Sequence, residues 1–143
     1  MFISQISIFV ENKQGSLATI TEILAEENID IRAFSIADTT DFGILRMIVS
    51  EPDRAIAALR AKNIAASLNR VIAVQIRDIP GSMHKVLGLL SSNGLVVEYA
   101  YAFISRQRED AYVILRVDEK EKAAQLFEDN HIHTLTPEEV YNF

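Results

Sequence analysis

Two short segments hold the residue types that could grip a small zwitterion. One reads Glu11-Asn12-Lys13-Gln14-Gly15-Ser16-Leu17, the other Arg77-Asp78-Ile79-Pro80-Gly81-Ser82-Met83. Each closes a strand-like run and opens a helix-like run. The first turn of a helix presents backbone amides that lack partners inside the helix, together with the positive end of its dipole, so it suits a carboxylate. Gly15 and Gly81 let the backbone come close to such a ligand, with no Cβ in the way. An ammonium needs an acceptor, and Asn12 just before the first turn offers one. Asp30, at the start of the next strand, is read as converging on the same place. The matching positions in the second copy are Asp78 and Val96, so the Gly15 copy is the better equipped of the two.

Placing such turns requires a repeated scaffold. Ile6, Ile8 and Val10 alternate in a strand over Phe2–Val10. Leu17, Ile20, Ile23 and Leu24 share one face of a helix over Ser16–Asn28. Strands over 29–38 and 44–50 follow, joined by a hairpin loop over 39–43. Pro52 suits the first turn of a helix that runs to about Asn63, and Ile64–Leu68 gives a short fourth strand. The second half repeats the plan. It predicts strands over 71–77, 95–105, 111–117 and 131–135, helices over 82–93 and 118–130, and a capped final turn at Thr136–Glu139. Met83, Val86, Leu87 and Leu90 form the first helix's apolar face, and Asp118 is the expected N-cap of the second helix. The extra length of the second copy falls in its Arg106–Asp110 hairpin. The fold class is α+β: two ferredoxin-like βαββαβ modules in tandem, 1–70 and 71–143, each an antiparallel sheet with helices on one face. No linker separates them.

Composition narrows the function classes. Of the 143 residues, 49% are hydrophobic, enough for packed cores, and the net charge is −6 with both halves acidic. That balance argues against nucleic acid or an anionic membrane as partner. The absence of Cys removes disulfides and thiolate metal sites. No run suits a bilayer span, and a cytoplasmic protein is expected. Small modules leave a sheet face to cover, so a homodimer is expected too.

At this point the chain resembles the ACT domains, small ligand-binding modules of amino-acid metabolism. The resemblance rests on the two Gly-Ser turns in their place in the fold, on Asn28-Ile29-Asp30-Ile31, on Glu98-Tyr99-Ala100-Tyr101-Ala102-Phe103 and on the Glu-Glu-Val-Tyr ending. It covers the chain twice over, with no enzyme domain left. In the family, amino acids bind where the first turn of one module faces strand two of a neighbour. The resemblance thus implies binding residues Asn12, Gln14, Gly15, Ser16, Leu17, Asp30 and Ile31, and Asp78, Pro80, Gly81, Ser82, Met83, Val96 and Val97. Gln14 stands where the family usually has Pro, and Val96 where it has a polar residue.

Other groups carry less. His131 and His133 alternate in a way that could ligate a metal, but a third ligand is not evident, and they read as surface imidazoles. Tyr99, Tyr101 and Phe103 line one strand face and read as an interface. Arg106 and Arg108 read as solvated surface. No nucleophile triad, phosphate loop or paired-carboxylate spacing marks a catalytic site. The expectation is a non-enzymatic regulatory protein, without cofactor or metal, that binds a free amino acid and acts through its quaternary state or a partner metabolic enzyme. The competing expectation is a ligand-free assembly subunit that docks such an enzyme.

Overall fold

The computed structural model describes residues 2–38, 41–103, 105 and 107–141. Thr39 and Thr40 of the first hairpin, Ile104, Arg106 and the terminal Asn142 and Phe143 lie outside these. The chain forms two compact units, an N-terminal one of Ser4–Asn69 and a C-terminal one that joins residues 2–3 to Arg70–Tyr141.

In the N-terminal unit, period-two alternation makes β1 (Ile3–Glu11), β2 (Ile31–Asp38) and β3 (Phe42–Val49), and the chain past Ile64 opens β4 (Ala66–Arg77), whose β-branched residues begin at Val71. Their order is β2-β3-β1-β4. The β1–β3 and β2–β3 ladders are antiparallel, so β1 and β2 run parallel and are joined by the crossover helix α1 (Ser16–Glu26). Helix α2 (Pro52–Ala61), with Pro at its start, joins β3 to β4. Ile6 and Ile8 of β1, Leu45 and Met47 of β3, Leu24 of α1 and Leu59 of α2 form one apolar core. Leu17 departs from the predicted helix face. It stays 39% exposed beside the Gly15 turn, while Ile20, Ile23 and Leu24 are buried.

The C-terminal unit repeats the plan with the second part of β4, α3 (Ser82–Ser92), β5 (Val97–Phe103), β6 (Asp110–Val117), α4 (Lys120–Asp129) and the short α5 (Pro137–Tyr141). β4 pairs with β6 and β6 with β5, all antiparallel. Val86 and Leu90 of α3 enter the core with Ile72, Leu115 and Phe127, whereas Leu87 turns outward at 36% exposure.

Three expectations change. The strands predicted over 64–68 and 71–77 are one element, β4, because Asn69-Arg70 contains neither Gly nor Pro to turn the chain. The strand predicted over 131–135 shrinks to a single antiparallel bridge, Val74 to Thr134. His131 before it has a left-handed φ of 57°, and Pro137 after it starts α5, so little extended chain remains. Asp118 is not the N-cap of α4. That position belongs to Glu119, and Asp118 Oδ1 instead accepts from the amides of Val96 and Glu119, each at 3.0 Å.

The edge strands share one irregularity. A register shift falls between Ile31 and Ala33 in β2 and between Val97 and Tyr99 in β5.

Candidate functional site: two glycine turns at helix starts

Gly15 and Gly81 occupy the N-cap positions of α1 and α3 with φ of 86° and 90°. This left-handed region suits glycine and penalises any side chain. A Cβ built on either would meet nothing within 4 Å, so the turns are open to approach. The two copies share their main backbone bonds. The Asn12 amide donates to the Asp41 carbonyl at 3.1 Å, and the Asp78 amide to that of Glu109 at 2.8 Å. Thr19 N donates to the Gly15 carbonyl at 2.9 Å, and Lys85 N to that of Gly81 at 3.1 Å.

The charge around these helix starts is unusual within the molecule. Helix α2 has Asp53 in its first turn, α4 has Glu121, and α5 has Glu138 and Glu139. In α5 a capping box closes the end: Thr136 Oγ1 accepts from Glu139 N at 3.2 Å, and Glu139 Oε2 accepts from Thr136 N at 3.0 Å. Glu121 shows what such a carboxylate gains. Its pKa is lowered, chiefly by a hydrogen bond to its own backbone amide, with a smaller contribution from Lys120. Helices α1 and α3 have no acid in the first turn and no side-chain cap. The Ser16 and Ser82 amides donate back to the Lys13 and Ile79 carbonyls at 3.4 and 3.3 Å, and the dipoles of these two helices meet no first-turn carboxylate.

The side chains differ more than the backbone. Asn12 Oδ1 lies over Gly43, 3.5 Å from where a Cβ on that glycine would stand, and Ile36 Cγ2 is 3.3 Å from the same point. In the C-terminal unit the matching position of β6 is Ala111. Asp78, Phe103, Arg108, Asp110 and Ala111 are among the residues that line a depression of about 550 Å³ there. Arg108 is solvent-exposed, as expected, and lies on the lining of this depression. The topology contains the signal, because the loop after strand one and the hairpin after strand two lie at the same end of each module.

Asp30 does not meet Asn12 within its own unit. Because β1 and β2 are parallel, β2 begins where α1 ends. Ile31 pairs with Val49 and Asp38 with Gly43, at opposite ends of β3 and about 20 Å apart. The carboxylate level with the Gly15 turn is that of Asp38. Asp30 is ion-paired to Arg32 at 2.9 Å, and its amide donates to Ser50 Oγ at 3.0 Å. Val96 takes the same place in the C-terminal unit, with Val97 partly buried against the core. Gln14, Ser16 and Leu17, and Pro80, Ser82 and Met83, flank their turns, with Met83 packed partly into the core. His133 Nε2 lies 3.1 Å from Glu139 Oε2, and among the described residues no group of three or more metal-ligating side chains converges. Among them, too, no helix is long and apolar enough to cross a membrane.

The family model for the ACT domain pair matches residues 1–142. The chain belongs to the ACT domain pair family. This membership supports a regulatory role. No curated protein matches the chain. Among solved structures, a protein from Bacteroides thetaiotaomicron is similar to this ACT pair at 38% identity and a TM-score of 0.94, covering 100% of this chain and 98% of that one. The ligand-free regulatory subunit of aspartate kinase from Thermus thermophilus shares the ACT fold at 21% identity and a TM-score of 0.62, covering 88% and 91%. The corresponding subunit from Thermus flavus does so at 19% and 0.63, covering 90% of each.

Proposed function

We propose that this ACT pair is a non-catalytic regulatory protein of the cytoplasm that binds a free amino acid at the Gly15 turn and acts through its quaternary state or a partner metabolic enzyme. The observation that carries the reading is the pair of helix starts with left-handed glycine, no first-turn acid and no cap, in a molecule whose other helices all have an acid there. The ligand carboxylate takes the Leu17 amide beside Gln14, Gly15 and Ser16, whose own amide donates to the Lys13 carbonyl at 3.4 Å, and Asn12 and Asp38 face its ammonium. Asp30 and Ile31 enter from a second copy. Edge strands β2 that pair antiparallel about a two-fold axis bring the start of one strand toward the end of the other, and with it the partner subunit's Asp30. The exposure of Phe34, at 61%, and of Ile36 on that edge supports such a homodimer. The Gly81 turn, with Asp78, Pro80, Ser82, Met83, Val96 and Val97, is the weaker site.

Ligand binding then shifts assembly only by its differential affinity for the two packings, about 1–3 kcal/mol in such systems. Calorimetry of the full chain against the twenty standard amino acids, with molar mass measured in parallel, tests this. Saturable heat with one of them and a change in mass are expected. No heat with any would sink the ligand reading and leave the second one, a ligand-free subunit whose Phe34–Ile36 edge docks a metabolic enzyme.

A further inference from the structure

The C-terminal unit contains a groove of about 700 Å³ along α3, bounded by β4 and by the segment 130–133. It lies within one unit and needs no second module, unlike the amino-acid site above. Its volume falls in the usual range of small-molecule pockets. Ile76, Val86, Leu89 and Ile132 form an apolar floor, and Arg77, Lys85 and His131 stand around it.

The internal repeat supplies a control, because the other copy shows what the fold alone demands. Arg77 ends its strand opposite Asp110 as Glu11 does opposite Phe42. Lys85 makes the helix-start bond that Thr19 makes. His131 stands left-handed at φ 57° where Asn63 stands at 61°, each with its amide bonded to the carbonyl three residues back. One acid and two neutral residues of the first copy thus become two cations and an imidazole in the second, and all three line one groove. Packing does not require that change, since the same backbone forms without it.

The groove's own acceptor is engaged. Asp110 is the one acidic residue among the described lining, and its side chain is 12% exposed. Its Oδ2 accepts from Gln75 Nε2 at 2.5 Å, and its Oδ1 faces Arg77 Nε at 3.8 Å. Arg77 also lies 3.6 Å from Glu109, and His133, a fourth polar group on the rim, is held by Glu139 at 3.1 Å. A ligand here meets cations and aliphatic surface but no free carboxylate for an ammonium.

We propose that this groove is a second ligand site, which takes an aliphatic carboxylate without an ammonium group, the chemistry of a branched 2-oxo acid. Lys85 supplies the principal charge, Arg77 and His131 assist, and the apolar floor receives the chain. The test is a titration of the isotope-labelled full chain with 4-methyl-2-oxopentanoate, followed by the backbone amide signals in NMR, with leucine as the matched ammonium-bearing probe. The amides of Val86, Leu89, His131 and Ile132 should shift saturably with the oxo acid. Lys85 is exposed on its helix, so Lys85→Thr, the residue of the first copy, should fold normally and weaken binding roughly tenfold or more. Lys85→Arg should keep it. Groove amides that stay still at millimolar probe, a Lys85→Thr variant with unchanged affinity, or leucine bound as tightly as the oxo acid would each overturn the proposal. Loss of the amino-acid reading would register separately, at the amides of Asn12 to Leu17.

Discussion

The Gly15 and Gly81 turns share a backbone and differ in what surrounds it. Both glycines are left-handed, both helix starts lack an acid, and both preceding residues bond to the facing hairpin. At the Gly15 end of the first unit Asn12 and Ile36 lie against Gly43; at the matching end of the second, Asp78, Ala111, Phe103 and Arg108 line a depression. The left-handed glycine turn at the helix start is thus part of the fold and recurs in both copies. What distinguishes one copy from the other lies in a few side chains at one end of the sheet. On the proposed reading, an ammonium would meet a neutral acceptor and a small neighbour in the first copy, whereas the second offers Asp78 and Arg108 on one depression.

Four tests by substitution would break or sharpen that contrast. The largest effect is expected from Gly15→Val set against Gly81→Val. A β-branched residue at such φ costs about 1–3 kcal/mol of backbone strain, and open space means no added clash. Calorimetry should show amino-acid binding abolished by the first and retained by the second, with similar losses of melting temperature. Equal loss of binding in both would make the two turns equivalent. Next, Asn12→Ala should weaken binding by about 1–2 kcal/mol, a tenfold effect or somewhat more, while Asp78→Ala leaves it nearly unchanged. A smaller effect should follow from Gly43→Ala, which gives the first copy the residue of the second. Its Cβ would stand 3.3 Å from Ile36 Cγ2 and 3.5 Å from Asn12 Oδ1, so both must give way slightly. Affinity should drop a few-fold, and full retention would remove Gly43 from the account.

The smallest effect concerns charge at the helix start. Ala18→Glu places in α1 the first-turn carboxylate that α2, α4 and α5 already have. It should raise stability by about 0.3–1 kcal/mol while it competes with the ligand carboxylate. Glu121 is the reference for this. Its folded pKa is lowered, so whatever it adds to stability is present above its unfolded pKa and is lost as pH falls through the folded value. Carboxyl titration by NMR should place Glu121 below the ordinary glutamate range. A normal value would weaken the comparison between helices with and without a first-turn acid.

Much of this was legible in the chain. Alternation at Ile6, Ile8 and Val10, helical spacing at Ile20, Ile23 and Leu24, and the doubled Gly-Ser turn lead to the element order and to the helix starts. These are local signals, each contained in a dozen residues. Asp30 misled because its place depends on strand direction. A crossover helix joins parallel strands, so the start of β2 lies at the far end of α1 from Gly15. The union of two predicted strands in β4 needed the observation that Asn69-Arg70 holds neither Gly nor Pro. The cationic groove was hidden for a different reason. Arg77, Lys85 and His131 come from a strand end, a helix and a residue past a helix end, and no spacing in sequence announces their meeting.

The register shifts near the starts of β2 and β5 bear on colloidal behaviour. A long, flat, apolar strand edge is a template on which chains can stack without limit into fibres. In β2 the shift between Ile31 and Ala33 interrupts the row of donors and acceptors, and only Ala33–Asp38 continues in regular register, about 20 Å of ladder. Such a stub can accept one short strand and then stops. The apolar side chains on this edge remain available for recognition, while the kink beside them denies the edge the length that fibre growth requires.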